Sequence, residues 1–236
     1  MNALVLALVL KWVPDTEHWF VALVSREWNT VVARPILTGI FQPGLSATRM
    51  ELALSCGYPD WRACEAAAAH GNLALLKILS ASPGRIWSDY AVSWAARGGH
   101  LEVLEFAHSL GVQSNHWAYA EAAMGGHLAC LTYLFQTGTT TWLRWTCDSA
   151  AQSGSAECLQ FAIVNGCPFD MQTAVIAAEY GNLACLRLLL VCGGFTDSRI
   201  ATAAAHNGHV AILQYLRTTR VVFNERVELQ ARRLGV

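Results

Sequence analysis

AAAHGNL (67–73), AARGGHL (95–101), AAMGGHL (122–128), AAQSGSA (150–156), AAEYGNL (177–183) and AAHNGHV (204–210) are one motif written six times. The glycines they share, Gly71, Gly99, Gly126, Gly154, Gly181 and Gly208, are spaced by 28, 27, 28, 27 and 27 residues. Self-similarity at a fixed period of this length marks a stack of small supersecondary units, none able to bury its apolar side alone. A second glycine follows each of the first five after 12 or 13 residues, at Gly84, Gly111, Gly138, Gly166 and Gly193. Gly44 and Gly57 carry the frame backwards, and Gly235 carries it forwards.

Each part of the repeat has a physical reason. Eleven residues before the shared glycine stands Asp60, Ser88, Asn115, Asp170 or Asp197 in five of the six repeats, side chains that accept hydrogen bonds from the free N–H groups of a helix start. In the remaining repeat Thr140 or Thr141 is expected to take that role. About ten residues of helix then run to a pair of alanines, small enough for neighbouring helices to approach closely. The glycine ends this first helix by entering the left-handed region. Asn72, His100, His127, Ser155, Asn182 and His209 come next, polar residues expected to start a second helix. That helix carries a leucine in every repeat (Leu76, Leu104, Leu131, Leu159, Leu186 and Leu213) within an apolar face of helical period. The expected architecture is an all-α solenoid of helical hairpins over residues 41–236. It comprises a half-unit at 44–57, six hairpins from about 58 to 219 and a charged capping helix at 224–235.

Composition narrows the function classes. Hydrophobic residues make up 54% of the 236 and charged residues 14%, a globular balance with ample apolar surface to bury. Sixteen Lys and Arg against seventeen Asp and Glu leave a net charge of -1, which gives no global attraction to nucleic acid or to anionic lipid. The eight cysteines form no CxxC pair and no zinc-like grouping, so a reducing, intracellular compartment is expected. Ala3 to Leu10 is an unbroken apolar run, read as a buried helix with a signal-peptide core as the alternative. It falls well short of the ~20 residues a membrane span requires.

The string AAxxGHLxxLxxLxxxG resembles the helical core of the ankyrin repeat, and the resemblance extends from about residue 44 to 236. It implies a protein-binding scaffold. An ankyrin repeat is about 33 residues long with a TPLH start and a β-hairpin finger; these repeats have neither and are expected to lack the fingers. NGCPFDMQTAVIAAEYGNLACLRLL (165–189) resembles the shortened, Cys- and Trp-rich arrays of large DNA viruses and of some protists and algae. That likeness implies action in the cytoplasm or nucleus, with a host cell as one setting. In residues 1–40, WVPDTEHWFVALVSREWNTVV (12–32) resembles the latter part of an F-box, with Val24, Ser25, Arg26 and Trp28 on its signature. Its opening Leu-Pro element is not matched. The resemblance implies docking on a Skp-type adaptor of a cullin ubiquitin ligase through residues 1–34, with Trp12, Pro14, Trp19 and Phe20 as contacts. The alternative for the same stretch is a helical cap over the first repeat.

Candidate chemistry is sparse. Cys130, Cys158 and Cys185 recur at one frame position, but stacked helices lie roughly 8–10 Å apart, too far for disulfides or shared zinc ligation. His127 and Cys130 are spaced like a base and a thiol, yet the frame puts Asn72, Ser155 and Asn182 where His127 stands, so a structural role covers all of them. The glycine pairs at 98–99, 125–126 and 193–194 are helix ends, with no Lys-Ser/Thr following as a phosphate loop requires. No catalytic, metal or cofactor-binding residue is therefore assigned, and an enzyme is the disfavoured alternative. The aromatics are left over by the repeat pattern. Trp61, Trp87, Tyr90, Trp117, Trp142 and Trp145, with Arg97 and Arg144 near them, are the expected partner-binding residues. Ring packing between hairpins is the competing explanation. The expected function is protein recognition by a monomer: substrate receptor of a ubiquitin ligase, or a scaffold or decoy without a ligase link.

Overall fold

The computed structural model describes residues 60–81, 87–138 and 142–235. The F-box-like segment with Trp12, Pro14, Trp19 and Phe20, the half-unit 44–57, the Trp61 side chain, and Thr140 and Thr141 lie outside the described residues. Thirteen helices and no strand are found among those described. They pair as α1 (Asp60–Ala69) with α2 (Leu73–Ala81), α3 (Asp89–Gly98) with α4 (Leu101–Ser109), and α5 (His116–Gly125) with α6 (Leu128–Thr137). The series continues with α7 (Arg144–Ser153) and α8 (Ala156–Val164), α9 (Met171–Glu179) and α10 (Leu183–Gly193), and α11 (Ser198–His206) and α12 (Val210–Arg217). A single last helix, α13 (Glu225–Arg233), follows.

Two compact units divide these elements. The first holds 60–95 and 102–112; the second holds 96–101 and 113–235. In the first, Ser88 Oγ accepts the Ala91 N–H at 3.2 Å and donates to Glu65 Oε1 at 2.8 Å, tying the start of α3 to α1. In the second, α5, α7, α9, α11 and α13 form one layer, each packed on the next, while α6, α8 and α10 form another. Every paired alanine of the motif and every frame leucine is buried. Small residues close the first layer and leucines fill the space between layers.

The turn between the helices of each hairpin is one repeated device. The frame glycines adopt φ between 67° and 81°. The next residue's N–H then reaches the carbonyl of the first paired alanine: Asn72 to Ala67 at 2.8 Å, His127 to Ala122 at 2.9 Å, Asn182 to Ala177 at 2.8 Å, His209 to Ala204 at 2.9 Å. This is the Schellman closure, which satisfies otherwise orphaned carbonyls.

Side chains cap the first helices where the frame places them, at Asn115, Asp170, Asp197 and Asn224. The fourth hairpin differs from expectation: Leu143 stands at its N-cap and gives no side-chain cap. A second correction concerns the polar residues after the glycines. Asn72 does accept the Leu75 N–H at 3.1 Å, but His127, Ser155, Asn182 and His209 make no side-chain cap on their own helices. Their ψ values of 76° to 84° aim the side chain away from its own helix, unlike the 171° at Asn115.

His127, Asn182 and His209 reach over the preceding hairpin instead. Asn182 Nδ2 donates to the carbonyls of Ala151 and Gln152 at 2.8 and 2.9 Å, and His209 Nε2 lies 2.8 Å from the Glu179 carbonyl. These are last-turn carbonyls of α7 and α9, which have no partner inside their own helices. Ser155 has too short a side chain to do this, and Ser153 Oγ bonds the Ala123 carbonyl at 2.9 Å. The clasp explains the glycines twice over. A Cβ on Gly154 would stand 2.6 Å from Asn182 Oδ1, one on Gly181 2.8 Å from His209 Cε1, and one on Gly99 2.6 Å from the same atom of His127.

Gly166 and Gly181 separate the two requirements, since their φ values are 82° and 80° but only Gly181 has a neighbour over it. Gly166→Ala is expected to destabilise by about 1–2 kcal/mol, the conformational term alone. Gly181→Ala is expected to lose on the order of 1 kcal/mol more through overpacking, an excess expected to vanish when the same substitution is compared with a His209→Ala parent, which has already lost the ring and its bond to Glu179. Urea unfolding of Gly166→Ala, Gly181→Ala, His209→Ala and the Gly181→Ala/His209→Ala double variant measures the difference.

Candidate recognition surface

Nine residues before the frame glycines from Gly99 to Gly208, and before Gly235, on the first turn of the first helix, stand Tyr90, Trp117, Trp145, Gln172, Arg199 and Arg226. The next position along, occupied by Ala118, Thr146, Thr173 and Ile200, is buried. One residue back on a helix is a 100° rotation, so this row points outward. Tyr90 is 61% exposed, Trp117 39% and Trp145 45%. In the second compact unit the Trp117 and Trp145 rings meet with centroids 4.5 Å apart at 36°, and the His116 ring lies 5.3 Å from Trp117. Mutual stacking of this kind adds about 0.5–1.5 kcal/mol. It also fixes two large side chains before any partner arrives, which lowers the entropy lost on binding.

The other expected aromatics are placed differently. Trp87 is 8% exposed, donates Nε1 to Ser80 Oγ at 2.9 Å, and meets Phe106 edge-on at 5.9 Å. Trp142 is half-buried and stacks on Phe135 at 5.3 Å, with Tyr119 at 5.2 Å and Phe161 at 6.4 Å. Both precede a first helix by one or two residues, as Phe169 and Phe223 do, and Phe169 meets Phe195 at 6.2 Å. These loop rings fill the space between hairpins. Tyr119 adds a polar link by donating to the Leu134 carbonyl at 2.9 Å, at the point where Gly138 leaves room for its hydroxyl.

Arg97 and Arg144 both join successive hairpins. Arg97 pairs with Glu121 at 2.9 Å. Arg144 bridges Asp148 at 3.2 Å and Asp170 at 2.7 Å, and these carboxylates hold its guanidinium pKa above the ordinary arginine value. Asp170 is also the N-cap of α9, in a reciprocal capping box with Thr173, and Thr173 Oγ1 donates to Asp148 at 2.6 Å. Beside Trp145, therefore, one network of charge and hydroxyl groups sets the spacing of α7 and α9. The pairs are largely solvent-exposed and each contributes little to stability; their effect is positional.

The titratable candidates serve structure. Burial pushes the Cys130 and Cys185 thiols up to about 11 and raises Cys158, so all three stay protonated small hydrophobes. The His127 ring covers Gly99 and Gly125, occupied by packing. Among the described residues no three His, Cys, Asp or Glu side chains converge as metal ligands would. No described helix is long and apolar enough to cross a membrane.

No protein-family model matches the chain, and no curated protein matches it in sequence. Among solved structures, the crystal structure of the human ASB11 ankyrin repeat domain superposes with a TM-score of 0.55 at 20% identity, over 72% of this chain and 96% of that one. The fold is that of an ankyrin repeat domain. Its hairpins here are ankyrin-type with the β-hairpin finger reduced to short connections, for no strand occurs among the described residues. One bond between successive ankyrin loops persists, from the Val222 N–H to the Thr196 carbonyl at 2.9 Å. Tyr90, Trp117 and Trp145 are among the expected partner-binding aromatics, which gather in the loop and first helix of each repeat without holding one strict frame position. Sorting them by distance to the hairpin glycine separates an outward row from the loop plugs.

Thr146, the fourth-hairpin counterpart of Thr173, has a buried hydroxyl without a hydrogen-bond partner, whereas the Thr173 hydroxyl donates to Asp148 of the preceding hairpin; Leu143, at the N-cap of α7, gives no side-chain cap. Leu143→Asp is expected to stabilise the protein by about 1 kcal/mol by capping α7. A shift of the urea midpoint to higher concentration at unchanged slope reads this out.

Proposed function

We propose that this chain is a protein-recognition module that engages its partner on the first-helix edge, with the stacked Trp117–Trp145 pair as the central contact. The observation that carries this reading is the exposure of two large rings held together at 4.5 Å on a face that folding does not need them to cover. Tryptophan is prominent among the residues that dominate binding energy at interfaces, and rings already immobilised lose little on association. The ankyrin fold supplies a rigid platform for such a row. Catalysis has no place in this reading, since the polar groups beside the rings are spent on linking hairpins.

A finer reading rests on the match at 12–32: that the N-terminal segment docks on a Skp-type adaptor while the repeats select a substrate for a cullin ubiquitin ligase. A scaffold or decoy without a ligase link is the alternative. Affinity purification from the native cells, with the intact chain compared to one lacking residues 1–34, tests it. The ligase reading expects adaptor recovery from the intact chain alone. Equal recovery from both, or none from either, removes it and leaves the scaffold.

For the recognition surface, Trp117→Ala with Trp145→Ala is expected to reduce recovery of the specific partner at least tenfold, about 1.4 kcal/mol or more. Far-ultraviolet circular dichroism should be unchanged. Val191→Ala, at an exposed position on α10, serves as the control and should retain full recovery.

A further inference from the structure

Charge is spread unevenly along the chain. Residues 187–236 hold seven of its sixteen cationic side chains but only three of its seventeen acidic ones. Arg187 and Arg217 lie over the rings of Tyr215 and Phe223, at 4.7 and 5.3 Å. Arg199, Arg226 and Arg233 stand on first helices instead and are exposed. Arg199 and Arg226 share the frame position of Trp117 and Trp145, and Arg233 lies seven residues after Arg226, on the same face. All of these residues belong to the second compact unit.

Two neutral side chains leave this charge unopposed at the last step of the stack. Arg199 is held at 3.3 Å by Asp197, which also caps α11. The corresponding cap of α13 is Asn224, so Arg226 has no equivalent carboxylate. Arg97, two residues before one frame glycine, pairs with Glu121, five residues before the next. Between α11 and α13 those two positions are His206 and Gln230. With Arg226 and Thr202 they wall a cleft of about 300 Å³ above the buried Ala205 and Val227. The α13 carboxylates lie outside it: Glu228 pairs with Arg217 at 3.1 Å, and Glu225 is not part of its lining.

We propose that this cleft takes an acidic side chain of the partner, and that the partner binds as an extended peptide segment with an apolar residue on the Trp117–Trp145 pair. The inference rests on the recognition surface proposed above and extends it to the C-terminal end. The Arg226 guanidinium presents paired N–H donors that match a carboxylate, and the His206 ring and the Gln230 amide add further donors. From α7 to the cleft is two and a half steps between packed helices of roughly 8–10 Å each, about 20–25 Å in all. An extended chain advances about 3.3 Å per residue, so the acidic residue stands about six to eight positions from the apolar one. Around the rings the ion pairs of Arg97 with Glu121 and of Arg144 with Asp148 and Asp170 already balance the cations. Only the far end attracts an anion, which suits a segment with a local acidic residue and not a uniformly anionic chain.

The test selects a random-peptide display library, with peptides long enough to span both sites, on the immobilised full chain. Expected are enriched peptides with an apolar residue and an Asp or Glu at the stated spacing. Synthetic copies should lose affinity about fivefold or more when that acid becomes its amide, or when the protein carries Arg226→Gln. Raising the salt concentration should weaken the acidic peptides more than their amide versions. Circular dichroism of Arg226→Gln should match the parent, since the side chain is exposed. Peptides that need Trp117 and Trp145 but ignore Arg226→Gln overturn the cleft and leave the recognition surface standing. Acidic peptides that need Arg226 but ignore Trp117→Ala with Trp145→Ala overturn the ring pair as anchor, and this inference with it. Absence of any enrichment overturns the extended-peptide partner.

Discussion

The contact on which the rest depends is the one between a hairpin's glycine turn and the polar side chain that follows the next hairpin's glycine. The left-handed glycine bends the chain so that a first helix ends with free carbonyls facing its neighbour. Asn182 and His209 reach those carbonyls at 2.8–2.9 Å and pass directly over the glycines. Turn and inter-repeat bond are therefore one requirement. A side chain on the glycine would obstruct the group that satisfies the helix end. The period near 27 residues follows, because every hairpin has to return its second helix to the same place on the one before.

Close approach at the turn has consequences for where bulk can go. Buried alanines along α5, α7, α9 and α11 let the first helices pack tightly, and the second layer takes leucines. Large rings are excluded from the first layer's interior and collect in two places. Rings in the loops, such as Trp142 against Phe135, Tyr119 and Phe161, lie where the shortened connection leaves space between hairpins. Rings one turn into the first helix, Trp117 and Trp145, find no interior and stack on each other in solvent. The division between structural and presented aromatics is thus a matter of a few residues along the same segment.

This also explains how far the sequence could be read. Gly71 to Gly208 with their alanines fixed the helix ends, and Leu76 to Leu213 fixed the buried face, because each rests on a local rule of one residue type. The caps at Asn115, Asp170 and Asp197 were legible for the same reason. His127, Asn182 and His209 were legible as polar but not in role: a residue before a helix suggests a cap, and only the backbone torsion shows that it points to the neighbouring repeat. Trp87 and Trp145 were indistinguishable as letters. What separates them is three frame positions, which places one ring before the helix against Phe106 and the other on its outer side. Arg97 and Arg144 looked available because their partners, Glu121, Asp148 and Asp170, belong in part to later repeats.

A stack of this kind favours rows over convergent sites. Residues at one frame position are separated by the distance between packed helices, roughly 8–10 Å. Short titratable groups such as Cys130, Cys158 and Cys185 cannot bridge it to one another, and the Cys185 thiol bonds the Ala150 carbonyl instead. Convergent chemistry needs a nucleophile, a base and an orienting group within hydrogen-bond reach of one another, so it would have to draw on different frame positions. The polar groups that do converge, Arg144, Asp148, Asp170 and Thr173, end in mutual hydrogen bonds that join α7 to α9. Tryptophan is long enough to bridge the spacing. Trp117 and Trp145 meet at 4.5 Å across successive hairpins, turning a repeat distance that keeps small groups apart into a continuous apolar shelf. The geometry that separates the thiols is the same geometry that gives two rings a common surface, and a surface of that shape is suited to holding a partner.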